Sequence, residues 1–131
     1  MRIEGWEGRL ARYFNEAANT PFAWGSHDCA LFAAEWVRIC TGRDHAAAWR
    51  GAYRTEKGAK IRMTRLGFSG VAAVASAFLS EIPVPRAKRG DLVLHPQGAL
   101  GVCNGLFSHF VTEAGLCVQE TLACPRAWEV N

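Results

Sequence analysis

The stretch Phe22-Ala23-Trp24-Gly25-Ser26-His27-Asp28-Cys29-Ala30-Leu31-Phe32 decides how this chain is read. A polar loop runs into an apolar helix, and a cysteine falls in the helix's first turn. Asp28 is a good N-cap, and Gly42 suits the C′ position at the other end. Between them Phe32, Trp36, Ile39 and Cys40 keep helical register, and Ala30, Leu31, Ala33, Ala34 and Val37 fill most of the rest. The only charges in residues 29–41 are Glu35 and Arg38. A helix this apolar on every side is central and buried.

Upstream, Trp6, Leu10, Tyr13, Phe14 and Ala17 recur at helical spacing and predict a first helix over residues 4–18, ended by Asn19-Thr20-Pro21. Downstream, a third helix is expected over 55–66, capped at Thr55 and stopped by Gly67, and a fourth over Ser69 to Leu79. Pro83-Val84-Pro85 breaks the helical pattern. Asp91–His95, Ala99–Cys103, Leu106–Val111 and Leu116–Glu120 then read as strands separated by Pro-Gln-Gly, Asn-Gly and Glu-Ala-Gly turns. They predict an antiparallel meander, with the segment from Cys124 to Val130 added as an edge strand. Helices followed by a meander make an α+β pattern. The expectation is a single domain over residues 1–131, helical to about residue 82 and stranded from about residue 90.

The bulk composition narrows the function classes. The chain has 131 residues, 50% hydrophobic and 21% charged, which is enough for one domain with a core of its own. A formal charge of +3 does not call for nucleic acid as a partner. The five cysteines are odd in number and form no C-x-x-C pair, which argues against a disulfide framework and a zinc knuckle. Cys103, Cys117 and Cys124, with Cys40 or a histidine, match no metal-binding spacing, so packing is expected and no cofactor or metal. The first residues carry no apolar leader, and no apolar run approaches the length of a membrane span. The reading is a protein made in a reducing cytosol without a signal peptide, either staying there or leaving by lysis or inside a particle. Arg50, Arg54, Lys57, Lys60, Arg62 and Arg65 form a basic segment. It suits a solvated helix face, or docking on an acidic partner or the anionic cell wall. Trp24 is expected to line a cleft beside Cys29, and Trp128 to anchor an interface near the C-terminus.

Cys29 is the candidate nucleophile. Unpaired N–H groups and the helix dipole at a helix start favour a thiolate, which is the form that attacks carbonyls. The same N–H groups suit an oxyanion. This predicts a lowered thiol pKa.

Several motifs in order carry a family resemblance. Trp24-Gly25 followed by Asp28-Cys29 resembles the W-G-G…D-C-S-G signature of NlpC-type, papain-like cell-wall peptidases. Arg89-Gly90-Asp91-Leu92-Val93-Leu94 resembles that family's G-D-L-V-F-F strand. Ala99-Leu100-Gly101-Val102-Cys103-Asn104-Gly105 resembles its H-V-G-I-Y-L-G strand, and Phe107-Ser108-His109 its F-I-H strand. Within the family the chain is most similar to a phage-encoded offshoot found among tail genes and lacking an assigned activity. The resemblance implies a nucleophile-bearing helix packed on an antiparallel sheet, and hydrolysis of amide bonds in peptidoglycan stem peptides. It makes Cys29 the nucleophile and His109 the third, orienting residue, with Trp24 and Asp28 on the substrate side.

Two departures weigh against that chemistry. Ala99 stands where the family's catalytic histidine opens its strand, and Ala30-Leu31 replaces the Ser-Gly after the cysteine. His95, at the end of the preceding strand, is the candidate substitute base, brought towards Ala99 by Pro96-Gln97-Gly98. His27 is near in sequence but expected to point away from the thiol. Two functions stay open: a tail-associated cysteine hydrolase with an incomplete triad, or an inactive structural or assembly subunit of a phage tail tip. The partners implied are other tail proteins and, for the enzyme, peptidoglycan.

Overall fold

Apolar residues sort onto the two faces of one antiparallel sheet in the computed structural model, which describes residues 1–131. Four helices come first: α1 (Trp6–Ala18), α2 (Cys29–Thr41), α3 (Glu56–Arg65) and α4 (Val71–Phe78). Six strands follow: β1 (Ser80–Ile82), β2 (Leu92–Leu94), β3 (Leu100–Cys103), β4 (Phe107–Thr112), β5 (Gly115–Glu120) and β6 (Arg126–Glu129). Their order across the sheet is β1-β6-β2-β3-β4-β5, with every pair antiparallel. The architecture is α+β, and β2 to β5 form the expected meander.

Strand alternation separates two cores. Leu92, Leu100, Val102, Val111 and Trp128 face the helices and pack with Leu10, Phe14, Phe32, Trp36 and Val37. Val93, Cys103, Phe110 and Ala127 point to the opposite face and pack with Cys124. Gly101 is where the sheet is tightest, because a Cβ there would lie 2.3 Å from the Phe110 ring and 2.4 Å from the His109 carbonyl. A third, small cluster of Leu31, Ala46 and Tyr53, with Trp24 and Trp49 beside it, lies on the outer side of α2.

The C-terminal strand corrects the sequence reading. β6 is not an edge: it lies between β1 and β2, with Leu92 opposite Trp128 and Glu81 opposite Trp128 on its other side. The reading missed β1, the short strand before Pro83 that covers β6. Trp128 is fully buried and its indole N–H donates to Ser76 Oγ at 3.0 Å, so it is a core residue and not an interface anchor.

The Arg89-Gly90-Asp91 motif is a structural hub. The buried Asp91 carboxylate accepts hydrogen bonds from Arg2 at 2.8 Å and from the Lys88 and Val130 backbone N–H groups at 3.0 Å each. Trp36 Nε1 donates to the Gly90 carbonyl at 2.8 Å. Gly90 has φ +89°, and a Cβ there would lie 2.6 Å from an Arg2 guanidinium nitrogen. One motif thus ties the first residues, α2 and the last strand together.

Candidate functional site

The loop before Cys29 is built around Asp28. As N-cap of α2, Asp28 accepts the Leu31 N–H on Oδ1 at 3.0 Å. Its Oδ2 accepts the Gly25 N–H at 3.0 Å and the Tyr53 hydroxyl at 2.7 Å. The carboxylate is buried, and both oxygens are used inside the fold. Gly25 has φ +85°, and a Cβ on it would lie 1.9 Å from the Tyr53 carbonyl oxygen. Only glycine permits that approach, which explains the Trp24-Gly25 pair in structural terms. Burial, and then the Asp28 carboxylate, push the Tyr53 phenol pKa well above its usual range, so Tyr53 is a permanent donor.

Cys29 opens α2, as expected, and sits half-buried over the start of β3. The backbone N–H groups of Leu100, Ala30 and Cys29 itself act on its sulfur and favour the thiolate. They are outweighed. Burial, followed by the neighbouring Asp28 carboxylate, pushes the thiol pKa up to about 11. The expected lowering is therefore overturned: a helix terminus contributes about 1 kcal/mol at most exposed sites, and desolvation of the thiolate exceeds it here.

A cavity of about 460 Å³ opens beside the sulfur. Trp24, Asp28 and Cys29, all singled out from the sequence, line it together. Ala99 and Leu100 line it from the sheet, and the α3–α4 pair closes it on the other side through Ala59, Met63 and Phe78.

The candidate histidines lie elsewhere. The turn after β2 does bring His95 to Ala99 through the backbone, its N–H donating to the Ala99 carbonyl at 2.7 Å. Its ring, however, meets Phe110 edge-on at 5.0 Å on the sheet face away from the helices, and its Nδ1 accepts the Gln97 N–H at 3.0 Å. Alternation along β2 puts residue 95 on that face, so His95 is corrected as a base for Cys29. His109 is on the helix side of β4, but its ring stacks on Phe14 with centroids 4.2 Å apart, and its Nε2 lies 3.4 Å from the Asn104 amide nitrogen. Burial lowers its pKa, and it lies outside the cavity. His27 also lies outside the cavity, its ring edge-on to Phe32 at 6.3 Å.

The histidine that lines the cavity is His45, which sequence reading did not single out. It stacks on Phe78 with centroids 4.5 Å apart, and its Nε2 is buried without a partner. Burial and then Arg43 lower its pKa. No hydrogen bond joins it to the thiol. In the turn that carries it, Asp44 Oδ1 accepts the Ala46 N–H at 3.0 Å.

A family model described as a domain of unknown function, DUF6950, matches residues 1–130. The chain belongs to that family. No curated protein and no solved structure matches it. The DUF6950 match spans the Asp28 cap, the Cys29 helix, the Arg89-Gly90-Asp91 hub and all six strands, so the site and the fold lie within one family unit.

The site's chemistry follows from these facts. It offers backbone donors near a cysteine, a sealed carboxylate, and an apolar cavity. It has no imidazole in hydrogen-bond contact with the sulfur to take its proton. The five thiols are all free, and Cys103 and Cys124 are buried on the far face of the sheet. No helix is long and apolar enough to cross a membrane.

Proposed function

We propose that this chain is a non-catalytic, NlpC-like papain-type domain that serves as a structural or assembly subunit of a phage tail tip. The observation that carries the reading is at Cys29. Cys29 opens α2, the place the NlpC resemblance gives the nucleophile; that resemblance puts Ala99 at the histidine's position, and no imidazole is hydrogen-bonded to the sulfur. General-base catalysis needs a base within about 3.2 Å or one water of the proton it takes. A thiol with pKa near 11 and no imidazole hydrogen-bonded to it is almost wholly protonated at neutral pH.

The papain-type part rests on the motif order and on the packing of a cysteine-bearing helix against β3 and β4 of an antiparallel sheet. The tail part rests on the resemblance to the tail-gene offshoot alone. Asp28 supports a scaffold role, since its carboxylate is consumed by the fold and not offered to a substrate.

The test is genetic. In a phage or prophage that carries this gene, deletion should stop the formation of infective particles, whereas Cys29→Ser should leave assembly and infectivity intact. If Cys29→Ser abolishes infectivity while particles still form, the hydrolase reading replaces this one.

A further inference from the structure

We propose that β5 is a docking edge for a second copy of this chain, the two β5 strands pairing antiparallel about a twofold axis through Val118 into one continuous sheet. The inference is independent of what Cys29 does.

The sheet has two edges, and only one is protected. β1 is three residues long, carries Glu81 in an ion pair with Arg126 at 2.7 Å, and is followed at once by Pro83. Shortness, charge and proline are devices that keep an edge strand from accepting another strand. β5, Gly115-Leu116-Cys117-Val118-Gln119-Glu120, has six residues, no proline and no basic residue. Its one charge, Glu120, stands at its end.

The direction of its free hydrogen-bonding groups follows from the hairpin. Glu113-Ala114 is a two-residue turn, so Thr112 and Gly115 close it as a bonded pair. Bonded pairs alternate along an antiparallel ladder, which joins Cys117 to Phe110 and Gln119 to Ser108. The Thr121 N–H, donating to the Leu106 carbonyl at 2.9 Å, continues the series. Leu116, Val118 and Glu120 therefore turn their N–H and C=O groups to the open edge. Of these groups only the Glu120 carbonyl has a contact, the Cys124 thiol at 3.7 Å. The side chains of the same three residues lie on the helix side, since Leu116 stands opposite Val111 and packs against the main core. Val118 is 54% exposed, and Phe107, diagonal to it on β4, is 50% exposed.

Symmetry and charge select a second copy. A twofold axis normal to the sheet makes the two strands antiparallel and keeps both sets of helices on one side. The outward groups belong to residues 116, 118 and 120, so bonded pairs across the axis join only these. Fullest overlap sets Val118 opposite Val118, and Leu116 opposite Glu120 of the second copy. This register covers the two exposed valines with each other. It also holds the two Glu120 residues roughly 14 Å apart along the strands, beyond the screening length of about 8 Å at physiological salt.

The test is analytical ultracentrifugation of the full chain, with amide hydrogen exchange followed residue by residue by NMR. The wild type should dimerise as its concentration rises. The Leu116, Val118 and Glu120 amides should exchange fast in the dilute monomer and at least about tenfold more slowly in the dimer, whereas Cys117 and Gln119 stay protected in both. Val118→Lys sets two ammonium groups against each other across the axis and should weaken the dimer at least about a hundredfold. Ile61→Lys, at a position of α3 that is 44% exposed, should leave the dimer unchanged. The wild-type exchange pattern decides the matter by itself should Val118→Lys fail to fold. A chain that stays monomeric at every concentration, its edge left for a strand of another protein, would overturn the proposal. So would a dimer in which the three amides stay fast, or one indifferent to Val118→Lys.

Discussion

The Tyr53 hydroxyl donates to Asp28 Oδ2 at 2.7 Å, joining the cavity wall to the cap of the helix that carries Cys29. Asp28→Ala removes a helix cap and leaves two further donors without an acceptor, so urea unfolding should show a loss of about 2–4 kcal/mol. Tyr53→Phe removes one hydrogen bond from a carboxylate that keeps two others, and should cost about 1–2 kcal/mol. Equal costs for the two would mean that the cap and the Gly25 bond contribute nothing.

Arg2 and Asp91 form the most enclosed ion pair in the molecule, with side chains 8% and 1% exposed. Breaking a buried pair from one side leaves an uncompensated charge, so Asp91→Ala should destabilise by about 3–5 kcal/mol. The exposed pair Lys60–Glu56 should contribute under about 1 kcal/mol, and salt should weaken it further. Chemical denaturation of Asp91→Ala and Lys60→Ala side by side checks the contrast.

Deleting residues 126–131 should abolish folding. The deletion removes β6 from between β1 and β2 and takes away the fully buried Trp128 and Val130. Circular dichroism should show loss of cooperative melting. A truncated chain that melts normally would contradict the strand order.

The thiol titration of Cys29 carries a sign that can be checked. Its folded pKa, about 11, lies above the 9.0 of an unperturbed thiol, so the folded chain holds the proton longer than the unfolded chain does. The corresponding stability is fully present below pH 9 and is lost as the pH rises towards 11. Cys124, also raised to about 11 by burial and then by Cys103, adds to the same alkaline loss. Alkylation of Cys29 should rise about tenfold per pH unit from neutral pH upward. A plateau below pH 8 would mean that an activating partner reaches the sulfur.

Much of this architecture was legible because its signals are local. Asp28 and Gly42 bound α2, and Thr55 caps α3 through a 3.0 Å bond to the Gly58 N–H. The Pro-Gln-Gly and Asn-Gly turns separated the meander strands. The partner of β6 was not legible, because β1 is three residues long and lies far from it in sequence. Cys29 was found, but the balance of its electrostatics was not, since desolvation depends on packing from β3 and α3–α4. His45 escaped notice because what brings it to the cavity is the packing of the α2–α3 connection, and no spacing in the sequence encodes that.

Release of soluble stem-peptide fragments from purified peptidoglycan tests most directly the proposal that Cys29 does no hydrolysis. The wild-type chain and Cys29→Ser should both release no more than buffer does. Release by the wild type that Cys29→Ser abolishes would contradict the account and restore Cys29 as a nucleophile.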